Sequence, residues 1–310
     1  KMKDLSLFSI CIFATFINLS SNAALDRVGD FALLDYAGEF HQLSRYRHRQ
    51  GLVVMAYDES CASMTNHVNE YQLLANEFAQ QGLDFVFLDS MDLGREAFAN
   101  SDLGLPVLED EGQLVSESLG IQSAGDVRVL NPERLSIYYR GSVYTQLRET
   151  LQGVLNGAVS DTVSTPIESC SIPYPVQEKN SQTPPNYVTD VAPIVMENCA
   201  GCHRQGGVGP FALDSYIMLL GWSPMIREVI LNKRMPPMQV DPYIGHSDDA
   251  RYLDTEEMQT LVHWIDAGAP QGDDSADPLE ELANSINLEA TAEWYLGEPD
   301  FIVTGPSNDV

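Results

Sequence analysis

Basic residues are scarce in this sequence. Lysine and arginine together number 17 against 45 aspartates and glutamates, a formal charge of −28 over 310 residues. Nucleic acids and anionic membrane surfaces bind basic protein faces, so this balance excludes both as ordinary partners and instead suits partner proteins with a basic docking face. Cysteine is scarce too, and 5 residues are too few for a small disulfide scaffold. With 44% hydrophobic residues, the chain can nevertheless bury sizeable cores.

Long apolar runs are absent after the first residues, which excludes a transmembrane helix of ~20 apolar residues there. Residues 1–23 begin with Lys1 and Lys3, continue with an apolar stretch from Leu5 to Leu19, and close on the small residues Ser-Asn-Ala. This is the pattern of a secretory signal peptide, and the alternative is an uncleaved N-terminal anchor. We expect export to a bacterial periplasm or beyond the cell, with no transmembrane segment left after cleavage.

The rest of the chain divides by composition into two globular parts and two connecting or terminal segments. The predicted organisation is a signal peptide at 1–23, a first domain at 24–158, a Pro-rich linker at 159–186, a mostly helical domain at 187–274 and an acidic tail at 275–310. Five prolines between Pro166 and Pro185 disfavour both helix and central strand, so we expect the linker to be irregular.

The first domain alternates strand and helix patterns. Residues 52–57 and 84–89 are short apolar runs typical of buried strands, and residues 64–80 have helical spacing of apolar side chains. Residues 127–130 and 137–139 predict a hairpin, followed by a helix over 143–155. Strands interleaved with helices predict an α/β sheet with helices on both faces.

The strongest motif lies in the second domain. Cys199-Ala200-Gly201-Cys202-His203 is C-x-x-C-H, the attachment signature of c-type haem. Two thiols at this spacing can each bond a haem vinyl group, and the adjacent histidine then ligates the iron. A zinc half-site and a redox dithiol are the alternatives, but zinc needs further ligands and no second cysteine pair follows. We therefore predict one covalent haem c at Cys199 and Cys202, with His203 as an axial ligand.

A second axial ligand is predicted from the segment 232–238, Asn-Lys-Arg-Met-Pro-Pro-Met. Methionine is the usual partner of histidine in cytochromes c. We predict Met235, because the two prolines after it hold the chain extended, and Met238 is the second candidate. An iron with two protein ligands carries electrons and has no open position for oxygen.

These segments resemble bacterial secreted monohaem cytochrome c-like domains. The similarity is carried by CAGCHRQGGVGPFAL, GWSPMIREVILNKRMPPM and LDTEEMQTLVHWIDAGAPQGD, with the Met-Pro-Pro element and a closing helix that ends in Trp-x-x-x-Gly-Ala-Pro. Relatives usually carry an aromatic residue in place of Met238. The resemblance implies a small all-α cytochrome c-like domain with Cys199, Cys202, His203 and Met235 at the haem.

Residues 25–157 resemble a thioredoxin-like domain of the peroxiredoxin type. The similarity is carried by VGDFALLDYAGEFHQL, by Cys61 at a predicted helix start, and by Leu-Pro-Val-Leu around Pro106. It implies that Cys61 stands at the nucleophile position and that Pro106 is the cis-proline beside it. The second cysteine of a thioredoxin motif and the peroxiredoxin Pro-x-x-x-Thr/Ser-x-x-Cys context are absent. Cys170 is either a resolving thiol or the partner of Cys61 in a static disulfide.

Three functions remain open at this stage. The sequence favours one-electron transfer through the His203/Met235-ligated haem, with a degenerate redoxin domain, and thus an electron carrier rather than a self-contained enzyme. The alternatives are a thiol peroxidase or disulfide oxidoreductase that uses Cys61, and a haem-bearing assembly or scaffold subunit that forms an oligomer. His41, His48 and His67 lack ligand spacing, so we expect them to be surface or hydrogen-bonded residues.

The tail around residues 294–303 resembles the lead-in to copper type II monooxygenase modules. No histidine follows His263, so the copper ligands of such a module are not in this sequence. Either the chain is a truncated relative of proteins that carry such a module, or the tail is a docking strand for a partner module of this type.

Overall fold

The computed structural model describes residues 25–98, 101–237, 239, 252–272 and 276–290. The predicted signal peptide, Met238 and the stretch 291–310 lie outside these residues. No described helix is long and apolar enough to cross a membrane.

Short strands dominate the first domain. In chain order they are β1 (Asp26–Arg27), β2 (Ala32–Leu34), β3 (Phe40–Gln42), β4 (Gly51–Tyr57), β5 (Leu83–Asp89), β6 (Val107–Glu109), β7 (Val127–Asn131), β8 (Ser136–Gly141) and β9 (Val163–Ser164). The strands predicted at 52–57 and 84–89 are β4 and β5, and the predicted hairpin is the antiparallel pair β7–β8.

These strands form one mixed sheet and one small ribbon. The sheet order is β1-β8-β7-β4-β5-β6, with β9 also paired to β8, while β2 and β3 pair separately. The pairs β4–β5 and β5–β6 are parallel, and β4–β7 is antiparallel. The α/β architecture expected from the sequence is thus confirmed.

Helices cover both faces of this sheet and make up most of the chain after it. They are α1 (Met64–Phe78), α2 (Arg95–Phe98), α3 (Leu114–Ser118), α4 (Thr145–Leu155), α5 (Pro175–Gln182), α6 (Ala192–Asn198), α7 (Tyr216–Leu231), α8 (Thr255–Asp266) and α9 (Pro278–Ala290). Side chains of β4 alternate between the two faces, because Val53 and Met55 join the core under α1 and α4 whereas Leu52 and Val54 join the opposite core.

The linker prediction was wrong in part. Residues 163–164 form β9 and residues 175–182 form α5, although the segment is rich in proline. Proline is compatible with the first turn of a helix, where its missing N–H would have no partner, and Pro175 occupies that position.

The second region is helical, as expected, and has its own apolar core around the fully buried Trp264. Asp254 caps α8, since its side chain accepts a hydrogen bond from the backbone N–H of Glu257, and the Glu257 side chain accepts one from the backbone N–H of Asp254. Before α6, the Asn186 side chain accepts hydrogen bonds from the backbone N–H groups of Val188 and Thr189.

The two regions contact each other through the loop and helix at residues 110–118. Leu114 packs into the core of the helical region, and Gln259 Nε2 donates to the carbonyl oxygen of Gly112 at 2.9 Å. His263 Nε2 lies 2.8 Å from Glu117 Oε2, and both side chains are about 95% buried. A buried imidazole–carboxylate contact therefore joins α3 to α8.

Candidate functional site

The first candidate site is the disulfide between Cys61 and Cys170. Cys61 follows β4 and precedes α1, whose N-cap residue is Ser63. Cys170 lies in the linker, and a disulfide joins the two across a sequence separation of 109. The Cα–Cα distance is 5.8 Å. The linker segment is therefore covalently attached beside the start of α1.

Backbone hydrogen bonds hold Cys170 against the loop that precedes β7. The N–H of Ala124 donates to the carbonyl oxygen of Cys170 at 2.8 Å, and the N–H of Ile172 donates to the carbonyl oxygen of Gln122. Two hydroxyl groups also lie at the disulfide, with Ser63 Oγ 3.3 Å and Ser169 Oγ 3.5 Å from Cys61 Sγ. The sequence analysis did not identify these serines, because Ser169 reaches Cys61 only through the fold.

The two sulfur-bearing residues differ in exposure. Cys61 is 4% exposed, whereas Cys170 is classed among the exposed residues. A reactant from solvent therefore meets Cys170 first. A thiolate formed at Cys61 would lie at the N-terminus of α1, near the positive end of the helix dipole.

The expectation for Pro106 was wrong. Pro106 directly precedes β6, and its carbonyl oxygen accepts a hydrogen bond from Phe87. Among the described residues the cis peptide bond is Met235–Pro236. The segment beside the end of β4 and Cys170 is instead 124–126, because Ala56 exchanges backbone hydrogen bonds with Gly125 and Asp126.

The expectation for His67 was also wrong. His67 is 4% exposed, and its Nδ1 has no hydrogen-bond partner. Burial lowers the pKa of this imidazole. The ring lies against Gly125, since a Cβ added to that glycine would be 2.2 Å from Nδ1. This packing depends on residues far apart in sequence, so no local pattern could have identified it.

The second candidate site is an apolar cleft beside Cys199, Cys202 and His203. It has a volume of about 380 Å³, within the range of small-molecule and cofactor pockets. Its apolar lining comes from α7 and the loops on either side, and it includes Val208, Phe211, Leu213, Met225, Ile226, Val229, Ile230, Met235 and Leu253. Met235 thus lies at the cleft that the C-x-x-C-H motif borders. Met238 is outside the described residues.

His203 is oriented by its neighbours. Its Nδ1 lies 3.1 Å from the carbonyl oxygen of Phe211, and its ring packs against the Phe211 ring. A hydrogen bond from Nδ1–H to that carbonyl leaves the Nε2 lone pair free for a metal. Phe211 in turn stacks on Trp222 at 4.1 Å between ring centroids.

The two cysteines of this motif are free thiols in the structure. Burial raises the pKa of Cys199 to about 11, with smaller contributions from Glu257 and Cys202. A raised pKa disfavours the thiolate that a redox dithiol requires. Within the described ranges, the clustered metal-ligand group is Asp35, Glu39 and His41, and it does not include this motif. The raised pKa counts against the dithiol alternative.

Comparison with protein families bears on the first domain. Residues 25–144 match the model of the AhpC/TSA family. These residues form a thioredoxin-like redoxin domain. The match ends before the helical region, so the cytochrome c-like domain and its haem remain predictions. Together with the disulfide, the family of this redoxin domain favours the thiol-based alternative over electron transfer by haem.

Three similar solved structures each align with less than half of the chain. A hypothetical protein from Sinorhizobium meliloti 1021 has 24% identity, covers 49% of this chain and 95% of its own, and has a TM-score of 0.41. Peroxidoxin BcpB from Mycobacterium tuberculosis has 19% identity, covers 44% and 96%, and has a TM-score of 0.36. A thiol:disulfide interchange protein from Bacteroides sp. has 16% identity, covers 44% and 92%, and has a TM-score of 0.35.

At these TM-scores, no property of the three proteins is carried over to this chain. No curated protein matches the chain.

Proposed function

We propose that the chain is an exported thiol–disulfide oxidoreductase whose exchanging couple is Cys61 and Cys170. The observation that carries this proposal is the disulfide itself, which joins Cys61, buried at a helix N-terminus of the redoxin domain, to the exposed residue Cys170 in the linker that follows that domain. The partner is a protein dithiol or disulfide, and the acidic surface suits a partner with a basic docking face.

The exchange proceeds in two displacements. A thiolate of the partner attacks Cys170 Sγ, the Cys61–Cys170 bond breaks, and Cys61 leaves with the electron pair as a thiolate. The second thiolate of the partner then attacks the partner sulfur of the mixed disulfide and displaces Cys170. Two electrons pass from the partner to the chain, the partner leaves as a disulfide, and the two protons it lost are balanced by those that the Cys61 and Cys170 thiolates take up. The same two displacements in reverse reduce a disulfide of the partner.

The peroxidase alternative receives less support. A peroxide would have to reach the nucleophilic sulfur of Cys61, which is 4% exposed. The chain also lacks the proline and hydroxyl residues that precede the cysteine in active peroxiredoxins.

The test uses two matched variants, Cys61→Ser and Cys170→Ser, with a peptide disulfide as the substrate. In Cys61→Ser, the exposed Cys170 thiolate attacks the peptide and the mixed disulfide accumulates, because no resolving thiol remains. In Cys170→Ser, the buried Cys61 forms little adduct. Peptide mass spectrometry assigns each adduct to its cysteine. Adducts at neither cysteine would contradict the proposed function, and adducts at Cys61 alone would reverse the two roles.

A second function, one-electron transfer by haem, is supported by the apolar cleft at the C-x-x-C-H motif. The donor set fits this group, because two unpaired thiols and an imidazole fixed through Nδ1 border a cleft that Met235 also lines. In this proposal Cys199 and Cys202 hold the haem covalently, and His203 and Met235 ligate the iron. The haem would supply reversible one-electron oxidation and reduction. The chain's own residues exclude water from it and fix the histidine.

Expression with haem-attachment machinery tests this second function. We expect the denatured chain to carry the mass and absorbance of haem, and the variant Cys199→Ser/Cys202→Ser to carry neither. The matched variant Cys61→Ser/Cys170→Ser should retain both. A chain that runs at its bare polypeptide mass would contradict the haem proposal and leave the thiol proposal intact.

A further inference from the structure

The small ribbon of β2 and β3 carries three side chains that neither proposed function uses. Asp35, Glu39 and His41 each offer one ligand atom, and these atoms all lie within 4.8 Å of one another. Leu34 pairs with Phe40, so Asp35 and Glu39 stand opposite each other at the next position, where the N–H of Asp35 donates to the carbonyl oxygen of Glu39. His41 lies two residues after Glu39, and alternate residues of a strand face the same side. The register of the ribbon therefore brings the three side chains together.

Asp35 is the fixed member of this cluster. It is 3% exposed and bridges to Leu108 next to the main sheet. Its Oδ1 accepts the backbone N–H groups of Ala37 and Glu39, and its Oδ2 is directed to His41 Nε2. In the described part of the chain, neither Asp35 nor Glu39 forms an ion pair with a lysine or an arginine. Burial of a carboxylate without a cation is costly, so a bound cation would stabilise this arrangement.

The distance between His41 and Asp35 matches that of two ligands on one metal ion. His41 Nε2 lies 3.2 Å from Asp35 Oδ2. Two ligand atoms that are each about 2.1 Å from an ion lie about 3.0–3.4 Å apart at octahedral or tetrahedral angles. A charge-assisted hydrogen bond between the same two groups is shorter, about 2.7–2.9 Å. The spacing therefore suits a shared ion better than a direct hydrogen bond.

The other ring nitrogen of His41 is held from outside the cluster. Nδ1 lies 2.5 Å from the hydroxyl oxygen of Tyr46, and the His41 side chain is only 11% exposed. Histidines that ligate metals almost always donate their second ring N–H to such a partner, which fixes the ring. When Nδ1–H donates to Tyr46 Oη, the Nε2 lone pair faces the Asp35 carboxylate.

We propose that Asp35, Glu39 and His41 bind a divalent transition-metal ion through two carboxylate oxygens and one imidazole nitrogen. This mixed donor set suits Mn²⁺ or Zn²⁺. Glu39 is exposed, so its carboxylate can rotate onto the ion from the solvent side. The net charge of −28 attracts cations to the chain. The site shares no residue with the Cys61–Cys170 couple and does not depend on the exchange function.

The test titrates the full chain, first stripped with a chelator, with Mn²⁺ alone and counts the free ion by electron paramagnetic resonance. Mn²⁺ prefers oxygen and nitrogen ligands, so the thiols of the C-x-x-C-H motif do not compete. We expect one bound Mn²⁺ per chain. Glu39→Gln and Glu178→Gln each remove one exposed carboxylate and form the matched pair. The Kd for Mn²⁺ should rise at least about tenfold in Glu39→Gln and stay unchanged in Glu178→Gln.

Two further variants test the buried ligands. Asp35→Asn keeps Oδ1 as the acceptor of the two backbone N–H groups and removes the charge, and His41→Gln removes the imidazole. We expect the same rise in Kd in both. The exposed Glu39 keeps the test valid even if a buried variant fails to fold. The proposal would be overturned if the wild type bound no Mn²⁺, or if Glu39→Gln and Glu178→Gln bound it equally, since equal binding would mean diffuse attraction to the acidic surface.

Discussion

The chain contains two pairs of cysteines, and the pair that is farther apart in sequence is the pair that forms a disulfide. Cys61 and Cys170 are 109 residues apart and form a disulfide, whereas Cys199 and Cys202 are close in sequence and remain free. In the redoxin domain, the sheet and the linker bring two distant sulfurs together. In the helical region, the sulfurs lie along a cleft with a histidine. The first pair is arranged for exchange with another thiol, and the second for attachment of a group.

Removal of each pair in turn gives the largest expected effect on stability. Cys61→Ala/Cys170→Ala frees a loop of about a hundred residues in the unfolded state, so we expect the free energy of unfolding to fall by about 2–5 kcal/mol. For Cys199→Ala/Cys202→Ala, in a chain made without haem attachment, the free energy of unfolding should fall by less. Urea denaturation of both variants makes the comparison. Equal losses would mean that the disulfide contributes no more than the packing of a cysteine.

The contact between the two regions should be nearly as sensitive. His263→Leu leaves the buried Glu117 carboxylate without its partner, and we expect a loss of about 3 kcal/mol in urea denaturation at pH 7. Lys233→Met removes an ion pair to the half-exposed Glu111 and is the control, with an expected loss below about 1 kcal/mol. If both losses were small, the regions would not be stabilised through this contact.

Gly125 allows the packing beside the disulfide to be tested directly. In Gly125→Ala the added Cβ would stand at a positive φ and overlap the His67 ring, so we expect the free energy of unfolding to fall by about 2–3 kcal/mol. Gly120→Ala has a similar φ of +62° and no atom within 4 Å, so its loss should be about 1 kcal/mol. Thermal unfolding of the pair measures the difference. Equal losses of stability in the two variants would show that the His67 ring moves aside for the added methyl group at little cost.

A further expected effect is a pH dependence from Asp110, which lies in the loop of the first domain that contacts the helical region. Burial raises the pKa of Asp110 to about 7, although hydrogen bonds from Ser116 and Val115 oppose the shift. The folded state then binds more protons than the unfolded state between about pH 4 and pH 7, so the contribution of Asp110 to stability falls as the pH rises through this window.

Asp110→Asn should remove this fall. The difference in unfolding free energy between wild type and variant, measured at pH 4.5 and pH 7.5, checks the sign. A difference that is the same at both values would contradict it.

Local patterns predicted much of this fold. The apolar runs at 52–57 and 84–89 are the central strands, because a strand buried on both faces needs uninterrupted apolar residues. The capping box at Asp254 was readable for a similar reason, as all of its atoms lie within one helical turn. Pro175 misled the linker prediction, because proline density does not reveal where a first helical turn begins.

The site was less predictable where it depends on distant residues. The position of Cys61 before a helix followed from the sequence, but the choice between a resolving thiol and a static partner for Cys170 did not. The burial of His67 arises from Gly125, which is remote in sequence and leaves no periodic signal. The role given to Pro106 came from a family pattern, and here a different segment, 124–126, lies beside Cys170.

A redox titration of the full chain tests the central claim most directly. The chain is equilibrated in dithiothreitol and glutathione buffers, quenched with an alkylating agent, and analysed by mass spectrometry at Cys61 and Cys170. A reversible couple predicts one two-electron transition between about −270 and −120 mV, as in thiol–disulfide oxidoreductases. A disulfide that stays oxidised below about −300 mV, as structural disulfides do, would contradict the proposed exchange.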